Sequence, residues 1–307
     1  MPNQPITIPP YSMDHSDKEI QSFYQSIALG LTPLEKLTAA AAAFLEQPYF
    51  FEPLGEGKEG QYDQSPLYRT DIFDCVTYLD TVLALFNSTN LLTYQQNMMQ
   101  IRYKNSIQQY QQRTDWFTDL EWLPNVRQIG WVHDITSEMI PFTHQSFIAK
   151  TIIDKPRWYE VKAMRALRLL KIPDAEQLEA LLMNLRNEGR AFQAEPSEIT
   201  YIPSDQLIDA DGNPDAPLFR QIPSGTVVVF VRADWQIRDK FKDYPNGYGT
   251  NLNVCHVGLL LWIDDTLMLF NACGTDKKVL SIPLADYLKR HLTINRIDGI
   301  HLEKIIL

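Results

Sequence analysis

The chain has 307 residues, 45% hydrophobic, 11% aromatic and 21% charged, which gives it apolar surface to bury throughout and excludes an intrinsically disordered protein. A net charge of -10 and a pI near 5.1 repel phosphate, so neither nucleic acid nor an anionic membrane surface is expected as a partner. No run reaches the roughly 18 consecutive apolar residues of a membrane span, and Met1 to Pro10 lacks the basic-then-apolar order of a leader.

In chain order, Ser16 and Glu19 read as a capping-box pair, with Ile20, Phe23, Tyr24 and Ile27 at helical spacing and Gly30 as a stop. A second helix opens on Thr32, Pro33 and Glu35 and runs to about Glu46. Gln47 to Thr70 loses periodicity among prolines and glycines and reads as an ordered loop. It leads into a helix from Cys75 to Asn87, with Leu79, Val82, Leu83 and Phe86 on one face and Asp71 or Asp74 as cap.

Helices are then expected over Leu92 to Tyr103, Trp116 to Leu123, Trp158 to Leu170 and Ala175 to Arg186. Lys155, Arg157, Lys162, Arg165, Arg168 and Lys171 read as a solvated helix face. Beyond Ile222 the texture becomes that of strands: Thr226 to Arg232, Cys255 to Ile263, Thr266 to Phe270, Val279 to Ile282, and Leu292 to Leu307 broken by Gly299. Asp264 and Asp265 suit a tight hairpin. Helices followed by strands, rather than alternating with them, make the fold class α+β.

The three cysteines, Cys75, Cys255 and Cys273, leave at least one free thiol. Cys75 opens a helix, where unpaired backbone N–H groups and the helix dipole favour a thiolate; its bland reading is a small buried hydrophobe. His256 is expected at the head of an apolar strand, where a structural role competes with that of general base. Counting back symmetrically from the hairpin sets Asn271 near Gly258, on the same face as His256, where its amide can accept from the imidazole and fix its tautomer. Zinc at Cys255, His256 and Cys273 is disfavoured, because neighbouring strand residues point to opposite faces and no CxxC pair completes the ligands. No metal or cofactor is expected.

Asp71-Ile-Phe-Asp-Cys75-Val-Thr-Tyr-Leu-Asp80-Thr-Val-Leu-Ala84, followed downstream by Gly249-Thr-Asn-Leu-Asn-Val-Cys-His256-Val-Gly258, resembles the NlpC-type cell-wall cysteine hydrolases. Within them it resembles the N-acetylmuramoyl-L-alanine amidase branch, long catalogued as a domain of unknown function. Pro53 to Gly57, Asp63 to Tyr68, Ile101 to Tyr103, Tyr110 to Asn125 and Ile222 to Val228 support the likeness, which spans about Pro53 to Gly274.

The resemblance implies a papain-like core, in which a helix bearing Cys75 packs on an antiparallel sheet bearing His256, with helical N-terminal and central insertions. The expected layout is one catalytic domain over 1–307, with N-terminal helices at 1–50, the nucleophile helix and its loops at 51–130, a mostly helical insertion at 131–220 and the sheet at 221–307. Cys75, His256 and Asn271 take the catalytic positions, although relatives often carry histidine at the third. Tyr68 is the candidate hydroxyl donor, and Arg102, Asp115, Trp116 and Asn125 are candidate sugar or peptide contacts.

The implied reaction cleaves the amide between the lactyl group of N-acetylmuramic acid, in its ordinary or anhydro form, and L-alanine of a muropeptide or of peptidoglycan. An endopeptidase acting within the stem peptide, and an inactive muropeptide-binding module, are the alternatives. The substrate implies the periplasm or secretion, with the cytoplasm as the alternative.

Overall fold

A computed structural model describes residues 5–27, 30–142, 147–236, 248–292 and 297–307. Its helices are α1 (Met13–Ser26), α2 (Pro33–Ala42), α3 (Cys75–Phe86), α4 (Leu91–Arg102), α5 (Leu123–Gln128), α6 (Lys155–Glu160), α7 (Ala175–Gly189), α8 (Ser204–Leu207), α9 (Ala216–Phe219) and α10 (Leu284–Arg290). Its strands are β1 (Val132–Asp134), β2 (Phe147–Asp154), β3 (Ala194–Pro203), β4 (Thr226–Trp235), β5 (Leu252–Ile263), β6 (Thr266–Cys273), β7 (Lys278–Pro283) and β8 (Gly299–Ile305). They form one antiparallel sheet in the order β2-β3-β8-β4-β5-β6-β7, with β1 beside β8. The fold is therefore α+β.

Strand alternation sorts the sheet into two apolar faces. Val227, Val229, Val231, Val257, Leu259 and Leu261 pack toward α1–α4, whereas Val228, Phe230, Leu260, Leu269, Ile300 and Leu302 pack toward α8–α10. Because both faces are covered, the central strands read as unbroken apolar runs. A third cluster, built on Tyr62, Tyr110, Phe117, Trp158, Tyr159 and Leu185, joins α6 and α7 to the loops before α3 and after α4.

Helix α3 is buried on all sides from Thr77 to Phe86, because α2 and α4 cover the face turned away from the sheet. Asp74 caps it: Thr77 N–H donates to Asp74 Oδ1 at 2.9 Å, and Asp74 N–H donates to Thr77 Oγ1 at 3.0 Å. Thr32, Pro33 and Glu35 start α2 with a full capping box. Ser12, not Ser16, caps α1; Ser16 is buried and accepts from Thr70 Oγ1, so a tertiary contact claims the hydroxyl that the local pattern assigns to a cap.

The stretch 131–220, expected as a mostly helical insertion, carries α6 to α9 but also supplies β1, β2 and β3 to the sheet. The alternating burial of β2, with Ala149, Thr151 and Ile153 inward, is a period-two signal that the helical reading passes over. Trp158 to Leu170 is not one helix. Asp154 caps α6, which starts at Lys155 and ends at Glu160, and Arg168 turns away to bridge with Asp63. The supposed solvated basic face is largely internal: Lys155, Lys162, Arg165 and Arg168 are buried, and Lys155 Nζ lies 2.7 Å from both Glu121 and Glu195. Trp116 to Leu123 contains a short π-helix at Thr118–Trp122. Of the run expected from Leu292 to Leu307, residues 293–296 lie outside the described residues, and the strand begins at Gly299.

The loop from Gln47 to Thr70 is held at several points. Pro48 bridges to Lys278 and Tyr49 to Phe73, and the buried guanidinium of Arg113 lies 2.5 Å from Glu56 and 3.1 Å from Asp63. Gly55 is required here: a Cβ on it would stand 2.5 Å from Asp63 Oδ1.

Candidate active site

A cavity of about 880 Å³ opens where the N-terminus of α3 meets the ends of β5 and β6. Cys75, His256, Cys255, Cys273 and Tyr287 line it, as do Asp115 and Trp116. Cys75 is the first residue of α3 and remains partly accessible.

His256 does not head its strand at the sheet's edge. β5 begins at Leu252 and lies between β4 and β6, so the ring comes from the middle of the sheet. A bulge between the pairs Phe230↔His256 and Val231↔Val254 leaves Cys255 as the extra residue, a device that re-aims side chains. The imidazole stacks on Tyr287 of α10 (5.6 Å, 21°) and against Phe230 (5.6 Å, 30°). It thus stands on the α10 side of the sheet, whereas α3 packs on the other.

Thiol and ring line the same cavity although α3 and α10 lie on opposite faces of the sheet. The β5–β6 ladder runs from Ile263↔Thr266 to Leu259↔Phe270 and goes no further. Just beyond it, His256 Nε2 lies 2.9 Å from Asn271 Oδ1, the neighbour relation that the hairpin count gives. Gly258 lets the strands approach, since a Cβ there would meet Leu269 Cδ1 at 2.5 Å and Phe270 O at 2.9 Å. Among the described contacts no hydrogen bond joins thiol to imidazole; the thiol instead meets the backbone N–H of Val257, the residue after His256.

Electrostatics run against the expected thiolate. Burial, followed by the Asp74 carboxylate, pushes the Cys75 thiol up, and the N–H groups of Val257 and Val76 offset this only in part. Burial pushes His256 down to about 4 against the upward pull of Asn271, with His291 adding to the fall. Both shifts favour the neutral thiol and the neutral ring near pH 7.

The other sequence candidates divide. Asp115 and Trp116 line the cavity, and Trp116 is wedged between Tyr110 and Trp158, with ring centroids 4.6 and 4.5 Å away. Tyr68 is buried elsewhere, its hydroxyl 2.5 Å from Asp17 Oδ1 and 2.6 Å from Gln95 Nε2. Arg102 is fully buried and donates to the carbonyls of Gly55 and Leu67. Asn125 donates to the carbonyls of Gln100 and Ile101 at the end of α4. These three line no part of this cavity, because interior polar groups claim their side chains. The sequence reading missed Tyr287, which sits on a short helix after β7 and shows its role only through stacking.

Among the described residues, the donors close enough for one metal ion are Asp134, His301 and Glu303, away from this cavity. Arg127 already reaches both His301 and Glu303 there.

The family described as AmiA-like, N-acetylmuramoyl-L-alanine amidase-like, matches residues 39–294. The chain belongs to this family. It is similar to a solved DUF1460 protein from Legionella pneumophila str. Philadelphia 1, at 30% identity and TM-score 0.86 over 96% of this chain and 95% of that one. An N-acetylmuramoyl-L-alanine amidase from Bacteroides uniformis shares the fold at 19% identity and TM-score 0.57, over 90% of this chain and 99% of that one. So does a putative xylanase from Bacteroides fragilis, at 18% identity and TM-score 0.56 over 87% and 99%. No curated protein matches the chain. Membership supports a peptidoglycan amidase-like function, a hydrolase acting on amide bonds. Among the described residues no helix is long and apolar enough to cross a membrane.

Proposed function

We propose that the chain is an extracytoplasmic amidase that cuts between the lactyl group of N-acetylmuramic acid and L-alanine of a muropeptide, with Cys75 as nucleophile, His256 as general base and Asn271 as its orienter. In this reading α3 on the antiparallel sheet is a papain-like, NlpC-type core, and 1–307 is one catalytic unit. The observation that carries it is the opening of Cys75 and an Asn271-held His256 into one cavity in a chain of the AmiA-like family.

With Nε2–H donated to Asn271 Oδ1, the lone pair of His256 Nδ1 is left to take the thiol proton. Because both shifts favour the neutral thiol and the neutral ring, that proton moves as the sulfur attacks the lactyl carbonyl, by general-base catalysis rather than from a standing ion pair. The backbone N–H of Cys75 donates to the developing oxyanion. The imidazolium then protonates the departing alanine nitrogen as the C–N bond breaks, leaving a thioester. Water, deprotonated by the same ring, releases the carboxylate and frees the thiol. Trp116 and Asp115 are the substrate contacts that remain from the sequence candidates.

The test is digestion of purified muropeptides followed by mass spectrometry. Amidase action releases an intact stem peptide and a peptide-free sugar, whereas shortened stems indicate an endopeptidase. Cys75→Ala should abolish turnover while keeping ligand affinity. A wild type that binds muropeptide and never cuts it overturns the enzyme reading.

A further inference from the structure

One carboxyl of the cavity is left with an unused oxygen. Among the described carboxylates that line it, Glu52 pairs with Arg168 at 3.2 Å, Asp74 is spent on Thr77 and on the Glu52 N–H, and Asp234 accepts from Thr151 and Asn251 at 2.7 and 2.6 Å. Asp115 Oδ2 stands 3.9 Å from Arg102 Nη2, but Asp115 Oδ1 is buried with no hydrogen-bond partner. Leaving such an acceptor unpaired is costly, so a donor supplied by an occupant of the cavity would stabilise it.

Behind it, Arg102 is wholly enclosed, with Nε and Nη2 making no hydrogen bond. A guanidinium cannot shed its charge inside a protein, so it acts as a fixed cation at the back of Asp115. Arg113 and Glu52 also face this carboxyl, and Asp80 and Asp74 lie close enough to feel its charge. Arg113 is committed to Glu56 and Asp63 and Glu52 to Arg168, so Arg102 is the cation left to orient Asp115.

Resting on the amidase reading above, we propose that Asp115 is a specificity-determining acceptor for an N–H or O–H donor of the muropeptide, with Arg102 as the positioning residue behind its carboxyl. Asp115→Asn tests this with little change of shape. Arg102 would hold the amide oxygen, so the NH₂ would replace the unpaired oxygen and meet the substrate donor head-on. KM for muropeptide, and Kd on a Cys75→Ala background, should rise about 10- to 100-fold, the size of a lost hydrogen bond to a charged group, with kcat nearly kept.

Arg102→Lys should raise KM in the same way and add little in the Asp115→Asn background, a coupling that a merely structural arginine would not show. Acetylating the free amine of the stem peptide names the donor. If wild-type KM rises and the Asp115→Asn value does not, the donor is that amine; if neither moves while the Asp115→Asn loss stands, it is another N–H or a hydroxyl. Unchanged KM and Kd in Asp115→Asn, while wild type still releases intact stem peptide, overturns this proposal alone. A wild type that neither binds nor cuts muropeptide overturns the amidase reading and this proposal with it.

Discussion

Cys75 and His256 are shifted in opposite directions by the same cause: burial favours the protonated thiol and the unprotonated ring. The rate of Cys75 alkylation by iodoacetamide should therefore climb continuously from pH 6 to 9, without the acid-side plateau of a preformed thiolate–imidazolium pair. A plateau between pH 4 and 7 would show that the pair is charged before substrate arrives. The same ring affects stability. Its folded pKa of about 4 lies below the ordinary 6.5, so the unfolded chain binds the proton more readily. Stability from this group is complete above pH 6.5 and falls as pH drops toward 4. His256→Gln should flatten that part of a pH series of urea midpoints. Nothing local to Val254-Cys-His-Val257 announces this shift, which comes from Tyr287 and Phe230 closing over the ring.

At the scale of elements, α3 carries a conflict between its cap and its first residue. Asp74 holds the helix start, yet its charge raises the neighbouring thiol. Burial also lifts Asp74 itself to about 6 from 3.8, so the stability this carboxyl contributes is present below pH 3.8 and is lost as pH rises through 6. Asp74→Asn keeps a good capping side chain and removes the charge. We expect alkylation of Cys75 at pH 7 to rise about three- to tenfold and the melting temperature at pH 8 to increase, with little change at pH 4. The cap was legible in the sequence, because an aspartate before an apolar helical run is a local pattern. That α3 is buried on every side was not legible, since α2 and α4 supply its second cover.

Over the whole molecule, Arg113 ties the loop before α3 to the aromatic cluster beside α6 and α7. Its guanidinium meets Glu56 and Asp63 and lies 4.8 and 5.0 Å from the rings of Tyr110 and Trp116. Arg113→Met would leave two buried carboxyls without their cation. We expect a loss of about 3–5 kcal/mol in urea unfolding, a large share of the roughly 5–15 kcal/mol of a typical protein. A loss under about 1 kcal/mol would mean that the group behaves as a surface pair.

What the amino-acid order determines by itself is whatever depends on neighbours a few residues away: the capped starts of α2 and α3, the apolar runs of β4 to β6, and the hairpin at Asp264 that sets Asn271 against His256. Only the tertiary structure decides which charges lie inside, as with Lys155, Arg102 and Arg168. It alone joins β1 to β3 to the sheet and turns Tyr68 and Asn125 away from the cavity. The physical reason is that helix caps and hairpin registers are closed by short-range hydrogen bonds, whereas burial, charge pairing and the protonation of Cys75 follow from water being excluded by segments more than a hundred residues apart.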